Sequence, residues 1–207
     1  MKKMSEGRLY ILSGPSGSGK DTILSEVLQR DDHLALSISS ITRAMRPGEK
    51  EGEKYHFVSR EDFLSMLEKK ELLEHNCFCG NYYGTPKKPV LEHLKNGDDV
   101  ILEIDVNGAQ TVRRKMPEAV SIFVMPPSYH ELCRRLRGRK TDDEAVIQKR
   151  LKSALDEIAR ATEYDYIVVN DKLDLAIEDV LHIIKADRLK IGRQKSLIHE
   201  VLENVET

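Results

Sequence analysis

A glycine-rich segment near the N-terminus constrains the fold of this chain more than any other feature. The segment comprises Gly14, Pro15, Ser16, Gly17, Ser18, Gly19 and Lys20. It directly follows the apolar stretch LYILS and directly precedes the amphipathic stretch TILSEVL, which predicts a strand, a loop and a helix in that order. Glycines let backbone N–H groups turn toward phosphate oxygens, the helix dipole favours negative charge, and Lys20 adds a mobile cation for the β and γ phosphates. The order predicts a mononucleotide site.

The two residues after Lys20 also bear on phosphate binding. Asp21 occupies the position where such loops usually carry a Ser or Thr hydroxyl that binds magnesium. Its carboxylate would either repel the nucleotide phosphates or help to hold a hydrated magnesium ion. We favour the second, because a negative charge so close to phosphate requires a cation between them. Thr22 supplies the next hydroxyl, and we expect it to reach a phosphate.

Charge and hydrophobicity exclude several classes of protein. The 207 residues include 33 Lys and Arg against 35 Asp and Glu, and the resulting net charge of −2 argues against a general nucleic-acid-binding surface. A hydrophobic fraction of 40% is typical of a folded globular protein rather than a disordered tail. No segment approaches the roughly 20 apolar residues that cross a bilayer, and no signal-peptide pattern is found. We therefore expect a cytoplasmic protein without membrane contact.

Short apolar runs alternate with helical periodicity along the chain, and no linker or repeat divides them. The runs richest in Val, Ile and Leu predict strands at residues 8–13, 34–41, 72–79, 100–105, 120–125 and 166–169. Strands separated by helices favour an α/β fold with a mostly parallel core sheet flanked by helices. Residues 37–84 depart from this alternation with strand, loop, short helix and strand, which indicates an inserted mixed subdomain.

Two capping patterns and the C-terminal periodicity predict helix positions. Ser59 with Asp62, and Thr141 with Glu144, each place a hydroxyl three residues before an acidic side chain, which predicts helices that begin near residues 60 and 142. From residue 185 onward, apolar residues at helical spacing predict one long helix interrupted by Gly192. We expect this C-terminal segment to serve internal packing or a homodimer contact rather than chemistry.

A second series of motifs extends over most of the chain. The sequence reads SISSITRAMRPGEKEGEKYHF at residues 37–57, FCGNYYGTP at 78–86 and LEIDVNG at 102–108. In these motifs the chain resembles guanylate kinase, from about residue 7 to residue 187. The resemblance implies a P-loop NTPase fold and the transfer of the γ-phosphoryl group of ATP to GMP, and also to dGMP, in purine nucleotide metabolism. It further implies a helical lid.

The resemblance also divides the chain into parts. A guanylate kinase-like domain would cover residues 7–187, with the phosphate loop at 14–22, a GMP-binding subdomain at about 37–90 and the lid at about 134–152. Residues 188–207 would then form a C-terminal helical extension.

Polar residues within these motifs have the chemistry that guanine recognition requires. Guanine presents N1–H and N2–H₂ donors beside the O6 acceptor, so Glu74 would accept from both donors while the hydroxyls of Ser39 and Thr85 donate to O6 or N7. Adenine reverses these groups and would leave the carboxylate facing acceptors, which rejects adenine strongly. The GMP phosphate suits two guanidinium groups and two phenols, at Arg43, Arg46, Tyr55 and Tyr83. By resemblance, all these positions match the GMP site of the family.

Two acidic residues lie at the end of a predicted parallel strand, where the ligands of α/β proteins gather. We expect Asp105 to orient magnesium-bound water or Lys20, and Glu103, two residues earlier, to face the same side. Both are candidates for the GMP side of the site, and Asp105 is also a catalytic candidate. No side chain is assigned as a direct metal ligand, because we expect Mg²⁺ to arrive with ATP and to lie near Asp21 or Asp105 through water.

A basic run, RRLRGRK, occupies residues 134–140. In a chain of net charge −2, such a run indicates a solvated helix face, a nucleic-acid contact or arginines that close over a transferred phosphoryl group. The resemblance favours the third reading and selects Arg135, Arg139 and Arg150 as catalytic residues. It also places Asn170 near the base of ATP.

Other functions share parts of this pattern. A catalytically inactive guanylate-kinase-like binding module commonly has a degraded phosphate loop, whereas Gly19 and Lys20 are intact here. A ribose-bisphosphate kinase would give Glu74 and Ser39 no base to read. A switch GTPase is disfavoured, because the only stretch similar to its N-K-x-D loop reads NDK at residues 170–172. We therefore expect ATP and GMP as partners, without nucleic acid or membrane.

Overall fold

Two β-sheets and eight α-helices are present in the parts of the chain that the structure, a computed structural model, describes: residues 6–78, 80–138 and 143–203. The central sheet consists of β1 (Leu9–Ser13), β2 (Leu34–Leu36), β7 (Asp99–Glu103), β8 (Val120–Met125) and β9 (Tyr166–Val169). Its five strands are all parallel and lie in the order β2-β7-β1-β8-β9. Their carboxyl ends therefore meet at one edge, where ligands bind in such folds.

A second sheet forms between residues 39 and 86. It contains β3 (Ser39–Ile41), β4 (Tyr55–Phe57), β5 (Leu72–Phe78) and β6 (Asn81–Pro86), in the order β4-β3-β6-β5. β3 pairs with β4 in parallel, whereas β6 runs antiparallel to both β3 and β5. This mixed sheet is separate from the central one, and its assignment as a GMP-binding subdomain stays a prediction.

Eight α-helices accompany the two sheets in the described part of the chain. They are α1 (Lys20–Arg30), α2 (Arg60–Glu68), α3 (Lys87–Asn96), α4 (Val106–Lys115), α5 (Tyr129–Arg137), α6 (Glu144–Ala159), α7 (Leu173–Arg188) and α8 (Lys195–Glu203). Alternate residues of β1 point to opposite faces, as the period of a strand requires. Tyr10 and Leu12 pack with α1 and α7, whereas Leu9 and Ile11 pack with α3 and α4. The predicted fold, a mostly parallel sheet between helices, is confirmed.

Helices α5 and α6 form a smaller core of their own beside the phosphate loop. Leu132 and Leu136 of α5 pack against Ile147 and Leu151 of α6. The same two leucines approach the loop, because a Cβ built at Gly17 would lie 3.1 Å from Leu132 and 3.2 Å from Leu136. Helix α5, which carries the first four residues of the basic run, is therefore packed directly against the predicted phosphate site.

The predicted strands are partly confirmed. Four match observed strands to within one residue at each described end: residues 8–13, 72–79, 120–125 and 166–169, residue 79 itself lying outside the described part. The single strand predicted at 34–41 is wrong, because residues 34–36 pair with β7 and residues 39–41 pair within the second sheet. Strands β4 and β6 were not predicted, because their polar and glycine-containing sequences lack the apolar pattern that identified the others.

The helix predictions also need correction. Ser59 does cap α2 and accepts a hydrogen bond from Asp62 N, as predicted. A helix does begin near residue 142, because α6 starts at Glu144, but its cap is Asp143. Thr141, the predicted cap, lies outside the described residues. The interruption predicted at Gly192 is confirmed, but it separates two helices: α7 ends at Arg188, a 3₁₀ turn at Ile191–Arg193 contains Gly192, and α8 begins at Lys195.

A buried ion-pair network attaches this C-terminal turn to the core, at the amino end of the parallel strands. Asp99, which is 3% exposed, accepts hydrogen bonds from Arg188 Nε and from Arg193 Nη2, each at 2.7 Å. Arg193 Nη1 also donates to Asp187 Oδ2 at 3.1 Å and to the Tyr10 hydroxyl at 3.2 Å. One guanidinium group thus bonds to two buried carboxylates that come from different parts of the chain.

We expect Arg193→Met to destabilise the protein by about 2 kcal/mol, because it removes a charge-assisted hydrogen bond from each of two buried carboxylates, Asp99 and Asp187. Urea unfolding at neutral pH measures this loss. Arg30→Met is the matched control, since Arg30 is 41% exposed and its pair with Glu26 is worth about 0.5 kcal/mol or less. Equal losses for the two variants would contradict the role that we assign to the network.

Candidate active site

The predicted phosphate loop lies between the carboxyl end of β1 and the first turn of α1, as the sequence indicated. Gly19 has a φ of 87°, and a Cβ at this position would lie 2.3 Å from Asn170 Nδ2. Only glycine is therefore compatible with both the left-handed backbone and the close approach of Asn170. Lys20 begins α1, so its ammonium group lies beside the positive end of the helix dipole.

Two predicted residues hold the loop from the side of β9 and α5. Asn170 is 6% exposed, and its Nδ2 donates to Ser18 O at 2.8 Å. Arg135 donates to the same carbonyl at 3.2 Å and to Asn170 O at 2.8 Å, while its Nε donates to Glu131 at 2.7 Å. Both side chains therefore contact the loop backbone, and their predicted contacts with the ATP base and the transferred phosphoryl group stay predictions.

The other predicted arginines of the lid differ in how far the structure describes them. Arg150, on α6, donates through Nη2 to the hydroxyl of Ser16 in the phosphate loop. Arg139 lies outside the described residues. The structure therefore brings Arg135 and Arg150 to two different residues of the same loop, Ser18 and Ser16.

Two carboxylates and two ammonium groups meet between the loop and the end of β7. Lys54 Nζ lies 2.7 Å from Glu103 Oε2 and 3.6 Å from Asp21 Oδ1, and Lys20 Nζ lies 3.9 Å from Glu103 Oε1. Burial and a hydrogen bond with Asp21 raise the pKa of Glu103, whereas that same bond and the two lysine charges lower the pKa of Asp21. Asp21 is therefore ionised at neutral pH, and Lys54 is its partner from the second sheet.

The three residues predicted to read guanine lie on neighbouring strands of the second sheet. The pairing of β3 with β6 places Ser39 opposite Thr85, whose hydroxyl donates to Glu74 Oε1 on β5 at 2.7 Å. Glu74 is 5% exposed, and burial raises its pKa to about 7. A Cβ at Gly108 would lie 2.7 Å from Glu74 Oε2, so glycine in α4 leaves room for the carboxylate. Ser39, Thr85 and Glu74 thus lie on three neighbouring strands, and Glu74 is the one titratable group among them.

Asp105 lies beyond the strand rather than at its end. β7 ends at Glu103, and Asp105 is the N-cap of α4, where its Oδ1 accepts from Asn107 N and Gly108 N at 2.8 Å each. Its Oδ2 accepts from Asn76 Nδ2 of β5. Strand alternation therefore does not relate Glu103 to Asp105, because the strand has already ended at Glu103. The catalytic role of Asp105 stays a prediction.

The predicted phosphate-binding residues of the second sheet surround Arg43. Its guanidinium group lies 5.4 Å from the ring centre of Tyr55 and pairs in bidentate fashion with Glu49, at 2.5 and 2.7 Å. Glu49 also accepts from Arg46 N at 2.7 Å. Tyr83 lies opposite Ile41 in the β3–β6 pairing, next to this group. Glu49 thus orients the guanidinium group of Arg43, whereas the side chain of Arg46 is exposed.

Sequence reasoning missed three residues of this region. Glu49 orients Arg43, and Lys54 pairs with Asp21 and Glu103. Glu157 of α6 interacts electrostatically with Lys20 and Asp105, and burial raises its pKa to about 6. The first two lie in a motif that was recognised, but the spacing of a loop does not reveal which charges meet across it.

We expect Arg46→Ala to raise the KM for GMP by about 10- to 100-fold, because an exposed guanidinium group forms charge-assisted bonds with phosphate. The KM for ATP should stay within about twofold, since the phosphate loop contributes no residue to this group. Initial-rate kinetics with each nucleotide varied in turn measures both. Arg114→Ala, at an exposed position of α4, is the control. Equal effects on both nucleotides would contradict the assignment.

Comparisons with known proteins agree with this geometry. The guanylate kinase family model matches residues 6–187. A guanylate kinase from Photorhabdus laumondii is 48% identical over 193 residues, which cover 92% of this chain and 93% of the relative. One from Desulfitobacterium hafniense is 46% identical over 192 residues, with coverages of 93% and 96%.

A solved structure extends the agreement from sequence to fold. The crystal structure of guanylate kinase from Anaplasma phagocytophilum matches with a TM-score of 0.77 at 36% identity, over 92% of this chain and 90% of that chain. The resemblance found in the motifs is thereby confirmed, and the chain belongs to the guanylate kinase family.

Proposed function

We propose that this chain transfers the γ-phosphoryl group of ATP to GMP, which gives ADP and GDP. The observation that carries the proposal is that Glu74, a buried carboxylate suited to guanine, lies close to the phosphate loop. The segment formed by β7 and α4 contacts both of them. Lys20 approaches Glu103 at the end of β7, and Gly108 in the next helix contacts Glu74. Family membership supports the same reaction, and neither an inactive binding module nor a ribose-bisphosphate kinase is favoured.

The residues present fit magnesium that is carried by ATP. Among the residues that the structure describes, no group of three or more His, Cys, Asp or Glu side chains could hold a metal ion alone. The ion would therefore take most of its ligands from phosphate oxygens and water, with the ionised carboxylate of Asp21 nearest to the loop. When bound, magnesium supplies charge neutralisation at the β and γ phosphates.

The chain's own residues orient the two nucleotides for an in-line transfer. An oxygen of the GMP phosphate attacks the γ-phosphorus, the bond to the β–γ bridging oxygen breaks, and ADP leaves with that electron pair. Glu74, Ser39 and Thr85 hold the base of the acceptor. Its phosphate is held by two arginines and two tyrosines, at Arg43, Arg46, Tyr55 and Tyr83. Positioning of this kind supplies much of the acceleration in phosphoryl transfer.

Positive charge from the loop and the lid stabilises the transferred group. Lys20 reaches the β and γ phosphates from the N-terminus of α1, while Arg135 and Arg150 approach from α5 and α6. Closure of these helices would also exclude water, which otherwise hydrolyses ATP. We assign the same role to Arg139 from the resemblance.

The proposal extends to where the protein is located and whether it forms a homodimer. Within the described ranges, no helix is both long enough and apolar enough to cross a membrane. We propose a cytoplasmic location, with ATP and GMP as partners. Exposed apolar side chains on α8, including Val201 at 59% and Leu202 at 62%, suit a homodimer contact.

Coupled ADP release tests the proposed function. The purified chain is given Mg-ATP with GMP, dGMP, AMP, CMP, UMP or ribose bisphosphate as separate acceptors. We expect turnover with GMP and dGMP alone. Turnover with ribose bisphosphate would overturn the base-reading role of Glu74, and GMP binding without turnover would favour the binding module.

A further inference from the structure

Lys54 lies where the second sheet meets the phosphate loop. It directly precedes β4, and its carbonyl accepts a hydrogen bond from Ser39 N at 3.3 Å, so its backbone belongs to the second sheet. Its ammonium group, in contrast, reaches the core, at 2.7 Å from Glu103 and 3.6 Å from Asp21. The side chain therefore carries one positive charge from the predicted GMP side of the site to the ATP side.

The charges of this cluster balance only if Lys54 is included. Lys20 and Lys54 contribute two positive charges, ionised Asp21 contributes one negative charge, and Glu103, whose pKa is raised to about 7, contributes a second one where it ionises. A phosphate loop with Ser or Thr after its lysine lacks the charge that Asp21 adds here. Without Lys54, Lys20 would face both carboxylates alone, and the remaining three residues would become net negative as Glu103 ionises, at the place where nucleotide phosphates must bind.

The contact is specific to this lysine. Lys50, in the same turn, is 75% exposed and pairs with Glu53, which is itself 60% exposed. Lys54 is 36% exposed, and its partner Glu103 is 10% exposed. Coulomb energies are larger for the less solvated pair, so Lys54 influences the loop far more than Lys50 does.

We propose that Lys54 is a positioning residue for phosphoryl transfer, whose ammonium group offsets the carboxylate of Asp21 and so lets this phosphate loop accept nucleotide phosphates. The inference rests on the proposed function, because it assumes that the loop binds ATP and ADP. Lys54 acts through Asp21, and the need for it arises because Asp21 stands where the loop usually carries a hydroxyl.

A double-mutant cycle tests this coupling. The variants are Lys54→Met, Asp21→Ser and the two combined, and each is measured for ADP affinity by calorimetry in EDTA and for kcat/KM with Mg-ATP and GMP. We expect Lys54→Met to weaken ADP binding by about 10- to 30-fold when Asp21 is present. In the Asp21→Ser background, the same change should cost less than about threefold, because no excess negative charge remains.

Two further variants separate charge from fold. Lys54→Arg should keep ADP affinity within about threefold of the parent, because the positive charge is retained. Lys50→Met removes an equal charge from the same turn and should leave ADP binding unchanged. Thermal unfolding midpoints show whether each variant is folded.

The result that overturns the proposal is an equal loss from Lys54→Met in both backgrounds, since Lys54 would then act independently of Asp21. Failure of the proposed function is distinguishable from this. It would appear as absence of GMP-dependent turnover in the parent chain, while the ADP-binding cycle in EDTA needs no acceptor and still reports the coupling.

Discussion

Replacing Glu74 by Gln is expected to stabilise the empty protein at pH 8 while it nearly abolishes the use of GMP. Burial raises the pKa of Glu74 from its ordinary value of 4.5 to about 7, so the folded state holds the proton more tightly than the unfolded state does. The protonated carboxyl of Glu74 therefore makes its full contribution to folding stability below about pH 4.5, and this contribution is lost as the pH rises through about 7.

The size of the effect follows from the shift. Ionising the buried carboxyl at pH 8 costs on the order of 3 kcal/mol, which Gln avoids because it cannot ionise. The amide oxygen can still accept from the Thr85 hydroxyl, which bonds to Glu74 at 2.7 Å. Urea unfolding at pH 5 and pH 8 should therefore show a gain in stability for Glu74→Gln at pH 8 and a much smaller gain at pH 5.

The loss of GMP use has a separate cause. The amide group of Gln presents donors where guanine also presents donors, so kcat/KM for GMP should fall by at least about 100-fold. Glu71→Gln makes the same chemical change at an exposed position just before β5 and should alter neither property. A variant that loses GMP use and is also less stable at pH 8 would contradict the burial argument.

Replacing Lys20 by Met is expected to lower kcat by at least about 1000-fold, because the charge on the β and γ phosphates matters most in the transition state. GMP affinity should stay within about threefold, since the base-reading and phosphate-reading residues of the second sheet are unchanged. Single-turnover kinetics and GMP titration separate the two effects.

The control for Lys20→Met is Lys185→Met, which removes the same side chain from an exposed position on α7. It should leave kcat unchanged. A large rise in the KM for ATP with kcat preserved would mean that Lys20 binds ground state and transition state equally, which contradicts the mechanism.

The local order of strand, loop and helix around residues 14–22 was predictable from the sequence. Glycine backbone freedom and apolar periodicity depend on residues that are close together in the sequence, so both can be identified from a short segment. The same holds for the buried strands β1 and β8, for the apolar edge strand β9 and for the Ser59 cap. The guanine-reading residues were recognised as a motif, and their roles stay predictions.

Pairing between distant segments was not predictable in this way. Residues 34–41 carry one apolar pattern, yet residues 34–36 and 39–41 belong to different sheets, because hydrogen-bond partners are chosen across space. Asp105 was expected at the end of a strand, but it caps α4. The strand ends at Glu103, and where a strand ends depends on its pairing with distant segments.

The charged residues of the site show the same difference between what the sequence and the tertiary structure determine. The types of Glu74, Asp21 and Lys54 are fixed by the chain, but the raised pKa of Glu74 comes from the side chains that bury it. The pairing of Lys54 with Asp21 comes from the approach of a turn 33 positions further along the chain. Local sequence therefore determines which groups are available and how the loop begins, whereas the through-space distances that set their energies exist only once the two sheets are packed together.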